Sequence, residues 1–275
     1  MERVNVSSGT CAYCKRESEL TAEHIWSDVL LRVFAAANLT IDDIRGEISE
    51  EDPLIQDLCA DCNNNLVGTA DQAIAKFAKR HLTGDIASGT TLDFNVGLQR
   101  WAVKTAANLQ RDCNAYSAST AGRWWEAKVA FILGTPPLPP DVDVLFATWV
   151  DPRKTIPLPG GDLDLAEALG ARKIQARPVP AVFVGDQSTV QFPGELQAAY
   201  ALKVGSGVFY VLVWQERARH RDEVIKHCLS AGWRPVDKSR KALTSPFGMY
   251  TEGTWFSLGT HRGKLQQFAG RLAPR

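Results

Sequence analysis

Seven residues in the first quarter of the chain have the types and spacing of a metal centre. Cys11-Ala-Tyr-Cys14 and Cys59-Ala-Asp-Cys62 are two CxxC pairs. Each such knuckle turns the backbone so that both thiolates face one point, and two knuckles together close a tetrahedral zinc site. The pairs are 44 residues apart, against the 15–20 of compact zinc ribbons. Lengthening the closed loop from about 17 to about 44 residues costs only about 0.8 kcal/mol, whereas structural zinc contributes on the order of 10 kcal/mol. Between the pairs lies Glu23-His24, and Asn63 follows Cys62 directly. Imidazole is the side chain that titrates nearest neutral pH, so His24 is a candidate general base. Glu23 and Asn63 offer oxygen, the donor that hard ions such as Mg²⁺ or Mn²⁺ prefer. Cys113 and Cys228 have no CxxC partner and read as buried or free thiols.

These residues must be positioned by the elements around them. Glu23 and His24 suit the end of a strand, where neighbouring side chains diverge to opposite faces. Residues 25–38 carry Ile25, Val29, Leu30, Val33 and Phe34 at helical spacing. Ile41 to Asp57 is acidic, contains Pro53 and reads as a loop or frayed helix. Asn63 to Leu82 reads as a helix with Leu66, Ala70, Ala73, Ile74 and Phe77 on one face, which puts Asn63 in its first turn. Residues 95–112 and Trp124 to Ile132 read as two more helices. Gly134 to Pro140 then holds four prolines in five residues, a linker rather than a helix. Beyond it Val142–Val150, Lys173–Gln175, Ala181–Val184 and Gly207–Trp214 read as strands, and Leu163–Leu169 and Arg219–Ala231 as helices. Pro178, Pro180 and Pro193 break the segments around them. The expected fold class is α+β.

The order CxxC, Glu-His, CxxC-Asn resembles the HNH, or ββα-metal, endonuclease superfamily, most of all its zinc-stabilised branch. The resemblance covers roughly residues 8–80. It implies a zinc-stabilised ββα-metal head over residues 1–82; beyond that head the helical pattern, the proline-rich break and the strands after it give a helical connector over 83–134 and an α+β domain over 141–275. It further implies a metal-dependent phosphodiester hydrolase acting on nucleic acid, with DNA the expected substrate. His24 would be the general base. Glu23 and Asn63 would be ligands of a catalytic Mg²⁺ or Mn²⁺. Cys11, Cys14, Cys59 and Cys62 would hold a structural Zn²⁺. Gly68 and Asp71 suit a Cys-Asn…Gly…Asp pattern associated with Glu-His members. The chain departs from the family in three places. Glu replaces the commoner Asp, Trp26-Ser27-Asp28 stands where a Pro usually follows the His, and no Asn precedes Cys59.

Composition and charge set the outer bounds. The 275 residues are 45% hydrophobic and 23% charged, close to globular averages. The longest apolar run is the seven residues Val208 to Trp214, far short of a membrane span. Met1-Glu2-Arg3 precedes no apolar stretch, so a signal peptide is not expected and the expected compartment is the cytoplasm. There, CxxC pairs read as metal ligands rather than disulfides. Lys+Arg and Asp+Glu are both 31, which excludes a uniformly basic coat. The balance is uneven, however. Residues 1–80 hold 8 basic and 14 acidic side chains, and residues 214–275 hold 12 and 5, with His220, His227 and His261 in addition. Arg217, Arg219 and Arg221 are candidate phosphate contacts within that basic tail. The second half is also the place for a protein partner.

Weaker patterns point elsewhere. Asp112 with Glu126-Ala-Lys128 has the acid…Glu-x-Lys order of another nuclease core, but such triplets are common on solvated helix faces. Gly259 to Leu265 resembles a phosphate loop one residue short. Gly205-Ser-Gly207 reads as a turn. Trp101, Trp124, Trp125, Trp233 and Trp255 read as core rather than base-stacking platforms. Two alternatives to an enzyme follow from the same residues: a zinc-binding nucleic-acid module with an inactive site, and an interaction domain in which zinc only holds the fold. Recombination, restriction or anti-phage defence would suit such a protein by analogy alone.

Overall fold

A computed structural model describes residues 7–34, 40–42, 47–49, 54–87, 89–116, 122–149, 174–178, 181–184, 188–191, 196–230, 232–237, 240–242 and 249–250. The first knuckle is the tip of a hairpin between β1 (Ser7–Thr10) and β2 (Glu17–His24). Lys15 turns the chain with φ 61°, and Cys11 N donates to Arg16 O at 2.9 Å to close the loop. Ser27 then caps α1 (Asp28–Val33) by accepting from Leu30 N at 3.2 Å. That cap is why the helix begins at Asp28 and not at Ile25, as the hydrophobic spacing suggested; Ile25 and Trp26 are buried ahead of it.

The stretch 41–57, expected as a loop or frayed helix, contains strands. β3 (Thr40–Asp42) pairs with β4 (Glu47–Ser49), and β5 (Leu54–Cys59) pairs antiparallel with β2. Leu54 and Gln56 are exposed while Ile55 and Asp57 are half-buried, a period-2 pattern too short to stand out from the acidic background. Between the Thr21–Leu58 and Ala22–Gln56 pairs the register shifts, leaving Asp57 as the extra residue of a bulge. The chain then enters a π-helical segment, Asp61–Val67, that runs on as α2 (Gly68–His81). Strand, antiparallel strand and helix thus follow in that order.

After β6 (Thr91–Asp93), α3 (Val96–Tyr116) is the central helix. The segment expected as a third helix starts as a 3₁₀ turn, Trp124–Lys128, and becomes α4 over Val129–Ile132. β7 (Val142–Trp149), β8 (Ile174–Pro178), β9 (Ala181–Val184), β10 (Ser188–Gln191), β11 (Leu196–Val204) and β12 (Gly207–Trp214) follow. The chain continues with α5 (Arg221–Ser230), β13 (Arg234–Pro235), β14 (Arg240–Ala242) and β15 (Met249–Tyr250). The large sheet has the order β13-β7-β12-β11-β8, with β15 parallel to β7 and its other pairings antiparallel. β9 pairs with β10, and β14 with β6. The class is α+β. Pro178, expected to break its segment, is instead the last residue of β8 and pairs with Tyr200, while Pro180, Pro193 and the helix expected over Leu163–Leu169 lie outside the described residues.

All eight residues of β12 are buried, as a strand covered on both faces requires. On one face Phe209 meets Trp101 of α3 at 5.3 Å between ring centroids, and Phe77 of α2 at 6.2 Å. On the other, Tyr210 meets Trp233 at 5.0 Å. The β11–β12 turn seats itself under the end of α2. Ser206 N donates to Leu82 O at 3.1 Å, and Gly205, at φ +55°, lies so close that a Cβ would stand 2.0 Å from the same oxygen. One continuous cluster of buried side chains runs from Cys11 to Val236. Trp101, Trp124, Trp125 and Trp233 belong to the core, as expected; Trp255 lies outside the described residues.

Candidate functional site

The four cysteines converge. The Sγ atoms of Cys11, Cys14, Cys59 and Cys62 all lie within 4.8 Å of one another, and Cys14 Sγ is 3.7 Å from Cys59 Sγ. Among the described residues this is the one set of three or more Cys, His, Asp or Glu donors close enough to share an ion. Two hydrogen bonds lock the second knuckle onto the first: Cys59 N donates to Cys11 Sγ at 3.4 Å, and Ala12 N to Asp57 O at 2.8 Å. Burial raises the Cys14 thiol, but donation from Arg16 outweighs it and brings it down to about 6. Burial and the neighbouring sulfurs push Cys62 up. Four thiols without an oxygen donor fit zinc, so the cluster can hold a structural metal of that kind.

Beside it is a cavity of about 290 Å³, at the small end for ligand pockets. Glu23 and His24 reach it from the end of β2, Asn63 from the π-helical turn after Cys62, Gly68 and Asp71 from the start of α2, and Lys104 from α3. Asn63 Nδ2 donates to Thr21 Oγ1 at 3.0 Å and to Ala22 O at 3.1 Å. With both amide protons used, Oδ1 is the atom left for a ligand. Glu23 is 3% exposed. Its Oε1 accepts from Lys104 Nζ at 2.6 Å and from Asn108 Nδ2 at 3.1 Å, and Oε2 has no hydrogen bond among the described residues. Lys104 Nζ also lies 3.0 Å from each oxygen of Asp71. Burial raises the Asp71 carboxyl above its usual range, with Lys104 opposing. Burial alone would lower Lys104, but Asp71 and Glu23 overcome it and hold the ammonium charged.

A chain of contacts runs from this cavity back to the first knuckle. Asn108 Nδ2 donates to His24 O at 3.2 Å, and Asn108 Oδ1 accepts from Arg111 Nη2 at 2.5 Å and from Tyr13 OH at 3.4 Å. Arg111 Nη1 meets Asp57 Oδ1 at 2.6 Å, and the guanidinium lies 4.7 Å from the centre of the Tyr13 ring. Lys104, Asn108 and Arg111 were not among the residues the sequence singled out. Their signal is there: three polar residues at i, i+4 and i+7 on a helix whose neighbours are Trp, Ala and Val.

The other candidates are dispersed. Arg217 and Arg219 are exposed, while Arg221 is engaged by Asp143, with Nε 2.9 Å from Oδ2 and Nη2 3.0 Å from Oδ1. Glu126 pairs with Lys15 at 3.3 Å and Lys128 with Asp141, so Glu126 and Lys128 have separate partners. Cys228 is a free, buried thiol pushed up to about 12 by burial. His261 and Gly259 to Leu265 lie outside the described residues, as does the side chain of Cys113. Among the described residues no helix is long and apolar enough to cross a membrane. Compared with protein-family models, curated proteins and solved structures, the chain matches none of them.

Proposed function

We propose that the protein is a metal-dependent endonuclease of the HNH, or ββα-metal, type that hydrolyses phosphodiester bonds in nucleic acid, with DNA the expected substrate. One observation supports this above the rest. Glu23, His24 and Asn63, selected by linear order, line one cavity at the junction of strand, antiparallel strand and helix, next to the four-cysteine cluster. Gly68 and Asp71 line it too.

In this reading His24 takes the proton from the attacking water. Its backbone carbonyl is held by Asn108, which fixes where the imidazole starts. The oxygens left open, Glu23 Oε2 and Asn63 Oδ1, suit a hard cation that keeps several waters and meets substrate phosphate. A bound Mg²⁺ or Mn²⁺ would polarise the phosphoryl oxygen and stabilise the departing oxyanion. Zinc on Cys11, Cys14, Cys59 and Cys62 would pin the helix start that carries Asn63. Residues 1–82 would carry the chemistry, 83–134 connect, and 141–275 recognise the target or a protein partner. Arg217 and Arg219 have no ion pair among the described residues and are the better phosphate contacts of the basic cluster; Arg221 would have to leave Asp143 to join them.

The test is cleavage of supercoiled plasmid with Mg²⁺ or Mn²⁺ beside His24→Ala. Wild type nicks or linearises the plasmid, and the variant is slower by about 10²- to 10⁴-fold with unchanged zinc content. No cleavage by a folded, zinc-loaded wild type, together with salt-sensitive DNA binding, would replace the nuclease with a non-cutting binding module.

A further inference from the structure

The most unusual group at this cavity is a lysine. The Lys104 side chain is 1% exposed, yet it belongs to a helix that begins more than 30 residues after Cys62. Its ammonium has three protons, and three carboxylate oxygens surround it: Glu23 Oε1 at 2.6 Å and the two oxygens of Asp71 at 3.0 Å. All its donors are committed, so it is neither a phosphate-binding lysine nor a nucleophile. A buried ion pair kept only for stability has little advantage over apolar residues of the same size. This one also lines the cavity, where two carboxylates facing each other would otherwise be a natural seat for a divalent cation.

We propose that Lys104 is a positioning residue that acts as a built-in cation: it occupies the space between Glu23 and Asp71, keeps a divalent ion out of that space and leaves Glu23 Oε2 as the oxygen presented to catalysis. Asn108, the second donor to Oε1, fixes the rotation of the same carboxylate. Lysine, Glu23 and Asp71 together carry a charge of −1; without the lysine the pair carries −2. The catalytic consequence rests on the nuclease reading, whereas the ion-binding consequence does not.

The experiment compares zinc-loaded wild type, Lys104→Met and Lys104→Arg. Mn²⁺ binding is followed by loss of the free-ion electron paramagnetic resonance signal, and plasmid cleavage is measured over the same Mn²⁺ range. K104M is expected to bind Mn²⁺ about tenfold more tightly or better. Its turnover at saturating Mn²⁺ should nevertheless fall about 10- to 100-fold, because the ion is drawn between the carboxylates. K104R restores a wild-type Mn²⁺ affinity and part of the turnover. A merely structural lysine would leave Mn²⁺ affinity per folded molecule unchanged, and that result in K104M overturns the proposal.

The double variant K104M/D71N keeps the charge at −1 and removes the unpaired carboxylate, so it serves where K104M fails to fold. Turnover in it stays about 10- to 100-fold down, since Glu23 is no longer held, and wild-type turnover there also overturns the proposal. If wild type neither cuts nor binds Mn²⁺, the nuclease reading falls. A folded K104M that then binds no Mn²⁺ fells this inference separately.

Discussion

Asn108→Leu tests the contacts by which α3 holds the cavity. Asn108 is fully buried and makes four hydrogen bonds. Two involve charged partners, Glu23 at 3.1 Å and Arg111 at 2.5 Å, and bonds of that kind contribute about 1.5–3 kcal/mol each. The bond to His24 O at 3.2 Å adds about 1 kcal/mol. The contact with Tyr13 OH, at 3.4 Å, is near the limit for a hydrogen bond. Leucine returns roughly 1.5 kcal/mol of apolar burial, so the net loss is about 3–5 kcal/mol. At about 2–4 °C per kcal/mol for a chain of this size, the midpoint should fall by about 10 °C. Thermal unfolding of zinc-saturated protein, followed by calorimetry, measures it. A fall of less than about 3 °C, equivalent to about 1 kcal/mol, would refute the reasoning: water would then satisfy Glu23, Arg111 and the His24 carbonyl as well as Asn108 does.

Two further outcomes concern the knuckles. Purified protein should carry one zinc per chain by atomic absorption; Cys62→Ser should lose it, while Cys228→Ser, altering a buried thiol outside the cluster, should keep it. Tyr13 is pushed up to about 12 by burial, against about 10 in an unfolded chain. Its neutral form is therefore favoured in the folded state, and the stability this gives is complete below about pH 10 and lost as pH rises toward 12. Unfolding measured against pH should show that alkaline loss in wild type and a smaller one in Tyr13→Phe.

The legible part of the site was the part written in local spacing. The CxxC pairs, Glu23-His24 and Asn63 lie on one hairpin, the strand that pairs with it and the helix that strand runs into, so their linear order maps onto space. Lys104, Asn108 and Arg111 come from a helix that meets the hairpin only through tertiary packing, and nothing in the sequence ties position 108 to position 23. The large sheet shows the same division. β12 announces itself with Val208 to Trp214. β11, Leu196–Val204, holds three Ala and two Leu with a Gln and a Lys, residues that favour helix in isolation, and is a strand because β8 and β12 pair with it on either side. Asp57 escaped notice for a related reason. Its bulge is a property of two strands in register, and neither strand alone contains it.

The long path between Glu23 and its second donor has a consequence for synthesis. Glu23 and Asn108 are 85 residues apart, which at about 5–20 residues per second is on the order of 4–17 s of translation. Both knuckles leave the ribosome well before α3 does. A nascent chain therefore has all four thiols available to capture zinc while Glu23 and Asp71 still lack their ammonium and His24 its anchor. A metal taken up by the cysteines at that stage would be bound before the cavity is assembled, and the chain around it would still lack the wall that α3 supplies.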